Sequence, residues 1–342
     1  MRHGSSAAFP HTRSQMPKTL ELYAYLLVTP VTTPQLTAQN PASTSAPPPS
    51  RQASPDSGGI IVTDLSPRFL AFYDSASAAN LDASARWIMW KRLYGFAAVP
   101  PTPFGDSLAR RLLDSAWTRY PGSLERIRKG VASFGVDPGV ELARVVSLLG
   151  CGENTRVRLI AFVGGFEDNA FAFSTNGVPT VAIPIEAGDP LKSMVHEFTH
   201  AVHRSSGCAD FRSGYGQSLG ELVVSEGLAM RVVEALVPGR PEYSYVAHKQ
   251  EWLDTARSRR NAILDGVRDH LADSGTAVVQ RFTFGEGSTG LSREAYYAGW
   301  EIVGELRRTG MSFHDIATTP PSGFPVLIQR AVASLEAASS RR

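Results

Sequence analysis

From Leu65 to Gly150 the apolar residues recur at spacings of three and four. "NLDASARWIMWKRLYGF", "GDSLARRLLDSAWTRY" and "DPGVELARVVSLLG" each read as an amphipathic helix. The texture then changes. "RVRLIAFVGGF", "NAFAFSTNG" and "PTVAIPIE" are short runs rich in Val, Ile and Phe, bounded by Gly, Asn and Pro, and they read as strands. After Gly188 the helical spacing returns and holds to the end. Helices, then a small sheet, then helices, predict an α+β domain.

Upstream the pattern fails. Asn40 to Gly59, "NPASTSAPPPSRQASPDSGG", is nearly free of large apolar residues. Such a segment buries too little surface to offset its ordering entropy and is expected to be a disordered linker. Residues 1–59 are therefore set apart from a folded unit at 60–342, in which 60–150 form a helical N-terminal part and 151–342 the rest. Further upstream, a short apolar run from Leu20 to Val31 precedes Ala38. It has some elements of a secretory signal, but Glu21 interrupts it and it begins late unless translation starts at Met16. Export and retention both stay open.

Composition narrows the field modestly. The 342 residues are 43% hydrophobic and 19% charged, with a net charge of +2, an ordinary globular balance. No long Lys/Arg run concentrates charge, so nucleic acid is not an expected partner, and "RSRR" at Arg257–Arg260 reads as a solvated helix face. No apolar stretch reaches the length of a membrane span. Nothing fixes the oligomeric state. Two cysteines, Cys151 and Cys208, allow one disulfide but no disulfide framework, and each reads equally as a small buried hydrophobe.

The chemistry concentrates in "GDPLKSMVHEFTHAVHRSSG". Asp189 suits an N-cap, Pro190 the first helical position, and Gly207 the residue just past the end. Leu191, Met194, Val195, Phe198 and Val202 fall on one face, with His196, His200 and His203 opposite. His196 and His200 are one turn apart and able to point at one ion. Glu197 is placed to take a proton from a water on that ion. Chance produces this pattern about 0.01 times in a chain of this composition.

Two histidines do not complete a catalytic zinc site, which commonly has three protein ligands and a water. Downstream, "GQSLGELVVSEGLAMRVVEALVPG" offers Glu221 and Glu226. Ser218 and Glu221 form a capping box, which accounts for Glu221. Glu226 sits at the centre of a stripe made by Leu219, Leu222, Val223, Ala229, Met230 and Val233. An ionised carboxylate facing a core costs several kcal/mol unless it is paired or bound to a metal. Glu226 is thus the expected third ligand, with an arginine partner as the alternative. Cys151 is a rival ligand, in the manner of peptide deformylases, but "GCGEN" lacks their "EGCLS" and no "GxGxAAPQ" run is found.

"HEFTHAVHR", "LGELVVSEGLAMRVVE" and "REAYYAGWEIVGEL" together resemble the zinc-dependent proteases of the DUF2268 family, a gluzincin-like group, over roughly Thr180 to Phe324. The resemblance implies a mostly helical zincin-like metallopeptidase with a small mixed sheet packed on the HExxH helix. It implies Zn2+ on His196, His200 and Glu226, Glu197 as general base, and a peptide or protein substrate. It also points to Tyr296 or Tyr297 of "AYYAGW" as an oxyanion donor, against the alternative that both pack on the catalytic helices. His203 could line the cleft, donate to the oxyanion or stand in solvent. One departure is Met230, where many gluzincins have an aspartate that orients a ligand histidine. It leaves room for a catalytically weak zinc-binding interaction or chaperone-like module; a non-peptide amidase on the same metal site is a further alternative. Either "PTVAIPIE" or "NAFAFSTNG" is expected to form a cleft edge that binds extended peptide.

Overall fold

The computed structural model describes residues 51–52, 59–209, 217–246 and 249–339. The apolar run from Leu20 to Val31 lies outside the described residues, as does the linker apart from Arg51, Gln52 and Gly59. No helix among the described residues is long and apolar enough to cross a membrane.

The architecture is α+β, mostly helical with one mixed sheet. Its strands are β1 (Arg51–Gln52), β2 (Ile60–Asp64), β3 (Val157–Phe162), β4 (Phe171–Thr175) and β5 (Val178–Pro184), in the order β1-β2-β3-β5-β4. β2, β3 and β5 run parallel; β1 and β4 lie antiparallel at the two edges. Between β2 and β3 the chain makes five α-helices, Ser66–Ala78, Ala83–Leu93, Pro103–Ala116, Leu124–Lys129 and Pro138–Leu149. Three begin at side-chain caps, Asp82, Thr102 and Asp137, each accepting a backbone N–H of the first turn. The sequence pattern does not reveal β2. Its five residues directly follow the linker and directly precede a helix, too short a run for periodicity to separate from either.

The sheet decides which strand is the edge. β5 is buried from Thr180 to Pro184 and lies between β3 and β4, so "PTVAIPIE" is an interior strand. That continuous apolar run is what a strand covered on both faces requires. β4, only partly buried, is the edge, and both β4 and β5 pack against the helix Pro190–His203, called here the motif helix.

Both ends of the motif helix are tied down. At its start Asp189 accepts the Lys192 N–H at 3.2 Å and pairs with Arg240 at 2.9 Å. Just upstream, where β3 and β5 end side by side, two carboxylates are buried together. Glu186 accepts the N–H groups of Gly164 at 2.9 Å and Phe166 at 3.1 Å, and Glu167 accepts that of Gly165 at 2.5 Å. Burial, then repulsion from Glu167, pushes Glu186 up to about 7. The folded chain therefore holds this proton more tightly than the unfolded one, whose carboxyl titrates near 4.5. The Glu186 contribution is fully present below 4.5 and is lost as pH rises through 7. Each tenfold difference in proton affinity between the folded and unfolded chain is worth roughly 1.4 kcal/mol, so Glu186→Gln is expected to gain about 3 kcal/mol on the wild type between about pH 4.5 and 8. Urea unfolding of both proteins at those two pH values measures this, and parallel stabilities would refute it.

At its far end the motif helix stops sooner than the sequence suggests. His203 is its last residue, and the Arg204 N–H closes it on the carbonyl of His200. Gly207 lies beyond, in a turn at φ +90°. Past the helix end the chain is held covalently: Cys208 is joined to Cys151, 57 residues away, with Cα atoms 5.4 Å apart. The bond turns the chain back toward the end of the helix Pro138–Leu149. This corrects the readings of Cys151 as a rival ligand and of both cysteines as lone hydrophobes. Closing a loop of this length stabilises by about 4 kcal/mol in the chain-entropy model. Reduction, or Cys208→Ser, is expected to lower the melting temperature by roughly 10 °C. Melts with and without a reductant check it, and coincident curves would count against any structural role.

Candidate metal centre

Two long helices build the site. The C-terminal part of the motif helix is buried nearly all round: Met194, Val195, Phe198 and Val202 are fully buried, and so is Thr199. His200 and Glu197 are buried as well, so of the HEFTH residues only His196 keeps a partly open side. The sequence expectation of an apolar face opposite a polar one is too simple. His203 in particular is wholly enclosed, with Phe324 beside its ring at 6.5 Å, and burial drops its pKa to about 3. It does not stand in solvent.

The second helix, Leu219–Leu236, opens with the expected capping box. Ser218 Oγ accepts the Glu221 N–H at 3.2 Å, and the Glu221 carboxylate accepts the Ser218 N–H at 2.5 Å. Almost every residue from Leu219 to Val233 is buried, Glu226 among them. This helix crosses a third, Glu294–Arg308, at a pair of glycines. A β-carbon on Gly227 would stand 2.3 Å from the Gly299 carbonyl oxygen, so only glycine allows the approach. Gly227 immediately follows Glu226, and the crossing holds that carboxylate's stretch of backbone against the core.

Glu226 meets the two histidines. Its Oε2 is 3.2 Å from His196 Nε2, its Oε1 3.5 Å from His200 Nε2, and the two Nε2 atoms are 3.1 Å apart. His196, His200 and Glu226 form the group of potential metal ligands found among the described residues. The separations suit an ion. With bonds of about 2.0–2.1 Å, two ligands of a tetrahedral zinc stand about 3.3 Å apart. Two imidazole nitrogens and a carboxylate are also the donor set that zinc favours.

Electrostatics and second-sphere contacts agree with that fit. Burial by itself raises the Glu226 carboxyl, but the adjacent His200 and His196 overcome it and hold the group well below the ordinary range. Burial disfavours charge on His196 too, and its hydrogen bond to Glu226 outweighs that and raises the ring. Among the described residues no arginine forms an ion pair with Glu226, whose ion pairs are with the two histidines. His200 Nδ1 lies 3.1 Å from Ser225 Oγ, a buried hydroxyl. With Nδ1–H donating there, Nε2 keeps its lone pair for a metal. Ser225 is the residue that sequence reasoning missed. It sits next to Glu226, but only the crossing of two helices brings it under the ring. Met230, buried and apolar, takes no part in orienting a histidine.

The tyrosines are placed differently. Tyr297 is buried with its ring 6.3 Å from Trp252, and burial raises its pKa. The strongest charges acting on its hydroxyl are those of Glu301, Arg260, Arg257 and Glu242. Tyr296 is buried under the guanidinium of Arg293, 3.9 Å from the ring centre. Both rings pack in the helical core. The "RSRR" run is not one solvated face either. It spans a break between the helices Gln250–Ser258 and Arg260–Arg268, and Arg260 pairs with Glu301 at 2.8 Å.

A family model described as predicted Zn-dependent protease (DUF2268) matches residues 180–324. That stretch includes the motif helix, the Glu226 helix and the helix that crosses it. No curated protein and no solved structure matches the chain.

Proposed function

We propose that this chain is a zinc metallopeptidase, with His196, His200 and Glu226 as metal ligands and Glu197 as general base. The observation that carries the reading is the buried Glu226 carboxylate drawn up against two imidazole nitrogens at 3.2 and 3.5 Å. A carboxylate so deep, with no arginine or lysine partner among the described residues, is accounted for by a cation in that position.

Zinc bound there acts as a Lewis acid on the scissile carbonyl and brings the ionisation of water toward neutral pH. The remaining steps belong to side chains. Glu197, adjacent in sequence to His196, accepts a proton from the attacking water and returns it to the leaving amine. Ser225 holds the His200 ring in the required tautomer. It supplies the orienting contact that Met230 does not, which favours a working peptidase over a weakened metal-binding module.

β4 supports a peptide as substrate. It is an edge strand beside the motif helix, and on its outer side no strand pairs with it among the described residues. An extended peptide can add to such an edge through backbone hydrogen bonds. The test is cleavage of an unbiased peptide mixture by the wild type beside Glu197→Gln, read by mass spectrometry together with zinc content. A wild type that binds zinc and cleaves nothing would reject the peptidase.

A further inference from the structure

One charged group near the candidate ligands has no task in the steps above. Arg204 follows His200 by four residues and Glu197 by seven, so it continues the face that carries both. Its backbone remains in the helical ladder through the hydrogen bond to His200. Side chains on a helix lean toward its N-terminus, which directs this guanidinium back along the site. The charges that act on it are those of Glu226 and Glu197.

Arg204 differs from the arginines of this half of the chain that are held by carboxylates. Arg240, Arg257, Arg260 and Arg308 each hold a carboxylate, at Asp189, Glu242, Glu301 and Glu305. The Arg204 side chain makes no hydrogen bond or ion pair among the described residues, and its Nε is buried with no acceptor. A cation near a helix C-terminus gains from the helix dipole, but that leaves its N–H donors unfilled. An unmet donor at a buried Nε is costly, while the half-buried side chain as a whole remains within reach of a ligand. With a dication between the histidines, Glu226 and Glu197 offset its charge, and Arg204 leaves the cleft positive.

We propose that Arg204 binds the free C-terminal carboxylate of the substrate, so that the peptidase acts on peptides ending within a residue or two of the scissile bond. The proposal rests on the metallopeptidase reading. Planar guanidinium and carboxylate form paired charge-assisted hydrogen bonds, which fits this residue type to this task. The spacing fits as well: four helical residues span about 6 Å, or roughly two residues of extended peptide.

The experiment compares N-blocked tripeptides and tetrapeptides as free acids and as C-terminal amides, with wild type, Arg204→Gln and Arg204→Lys. The wild type is expected to favour the free acid by about 10–100-fold in kcat/KM, expressed in KM. Arg204→Gln should collapse that ratio toward one, and Arg204→Lys should restore part of it. Calorimetry of the same peptides on the Glu197→Gln protein gives the preference without turnover. Equal use of acid and amide by the wild type overturns the proposal. An unchanged ratio in Arg204→Gln overturns it too. So does an equal loss on both substrates, which would make Arg204 a structural or oxyanion-stabilising residue. Failure of the wild type to cleave or bind either peptide removes the peptidase reading itself, a result distinct from these. Zinc content and melting temperature establish that each variant is folded and loaded.

Discussion

Glu197→Gln is expected to bind zinc as the wild type does and to lose about 10²–10⁴-fold in turnover, the usual worth of a positioned general base. The two halves of this prediction have separate grounds. Metal retention follows because Glu197 is not one of the converging groups, which are His196, His200 and Glu226. The substitution keeps size and shape at a buried position, so the packing of the motif helix should survive. Loss of turnover follows because an amide cannot accept the proton that the attacking water must give up. Zinc content by mass spectrometry and cleavage of a fluorogenic peptide, measured on the same sample, decide it. Full activity rejects the base assignment. Joint loss of zinc and activity would instead mean that Glu197 supports the site's structure.

The parts legible in the sequence were those fixed within one helix. The spacing of His196 and His200 is a one-turn repeat, the Ser218–Glu221 box is local, and Glu226 stood out because its neighbours along one stripe are apolar. A charge in a core stripe demands a partner, and that demand can be read without knowing where the partner lies. What escaped was contact between distant segments. Ser225 differs from any buried helical serine only in lying beneath a histidine from another helix. The bond between Cys151 and Cys208 joins residues 57 apart, and nothing local distinguishes a paired cysteine from a buried one. The burial of His203 was misread for a related reason. Its helix face looked polar, but Phe324, 121 positions downstream, arrives to cover it. The choice of β4 over β5 as the edge waited on strand order, because β5 pairs with the distant β3 on one side and with β4 on the other.

Glu226→Ala should abolish stoichiometric zinc binding, weakening affinity by more than about 100-fold, since groups that merely orient a ligand are already worth about 10–100-fold. Ser225→Ala provides that lesser scale in the same protein, because its hydroxyl touches His200 and not the ion position. The ordering Glu226 far above Ser225, with Cys151→Ser near the wild type in affinity, is the signature of the proposed ligand set. Cys151 enters as a control because its sulfur is committed to Cys208. Competition titration with a chromogenic chelator measures all three. Stability offers an independent reading. Metal-free Glu226→Ala loses the carboxylate that His196 and His200 share, but it also removes a buried charge. Its metal-free melting temperature should therefore change less than the zinc-dependent increment it forfeits, since a bound metal stabilises the folded state by mass action. If Glu226→Ala kept stoichiometric, wild-type zinc affinity, the two histidines would have to recruit their third partner elsewhere, and the motif helix would need a different neighbour for its chemistry.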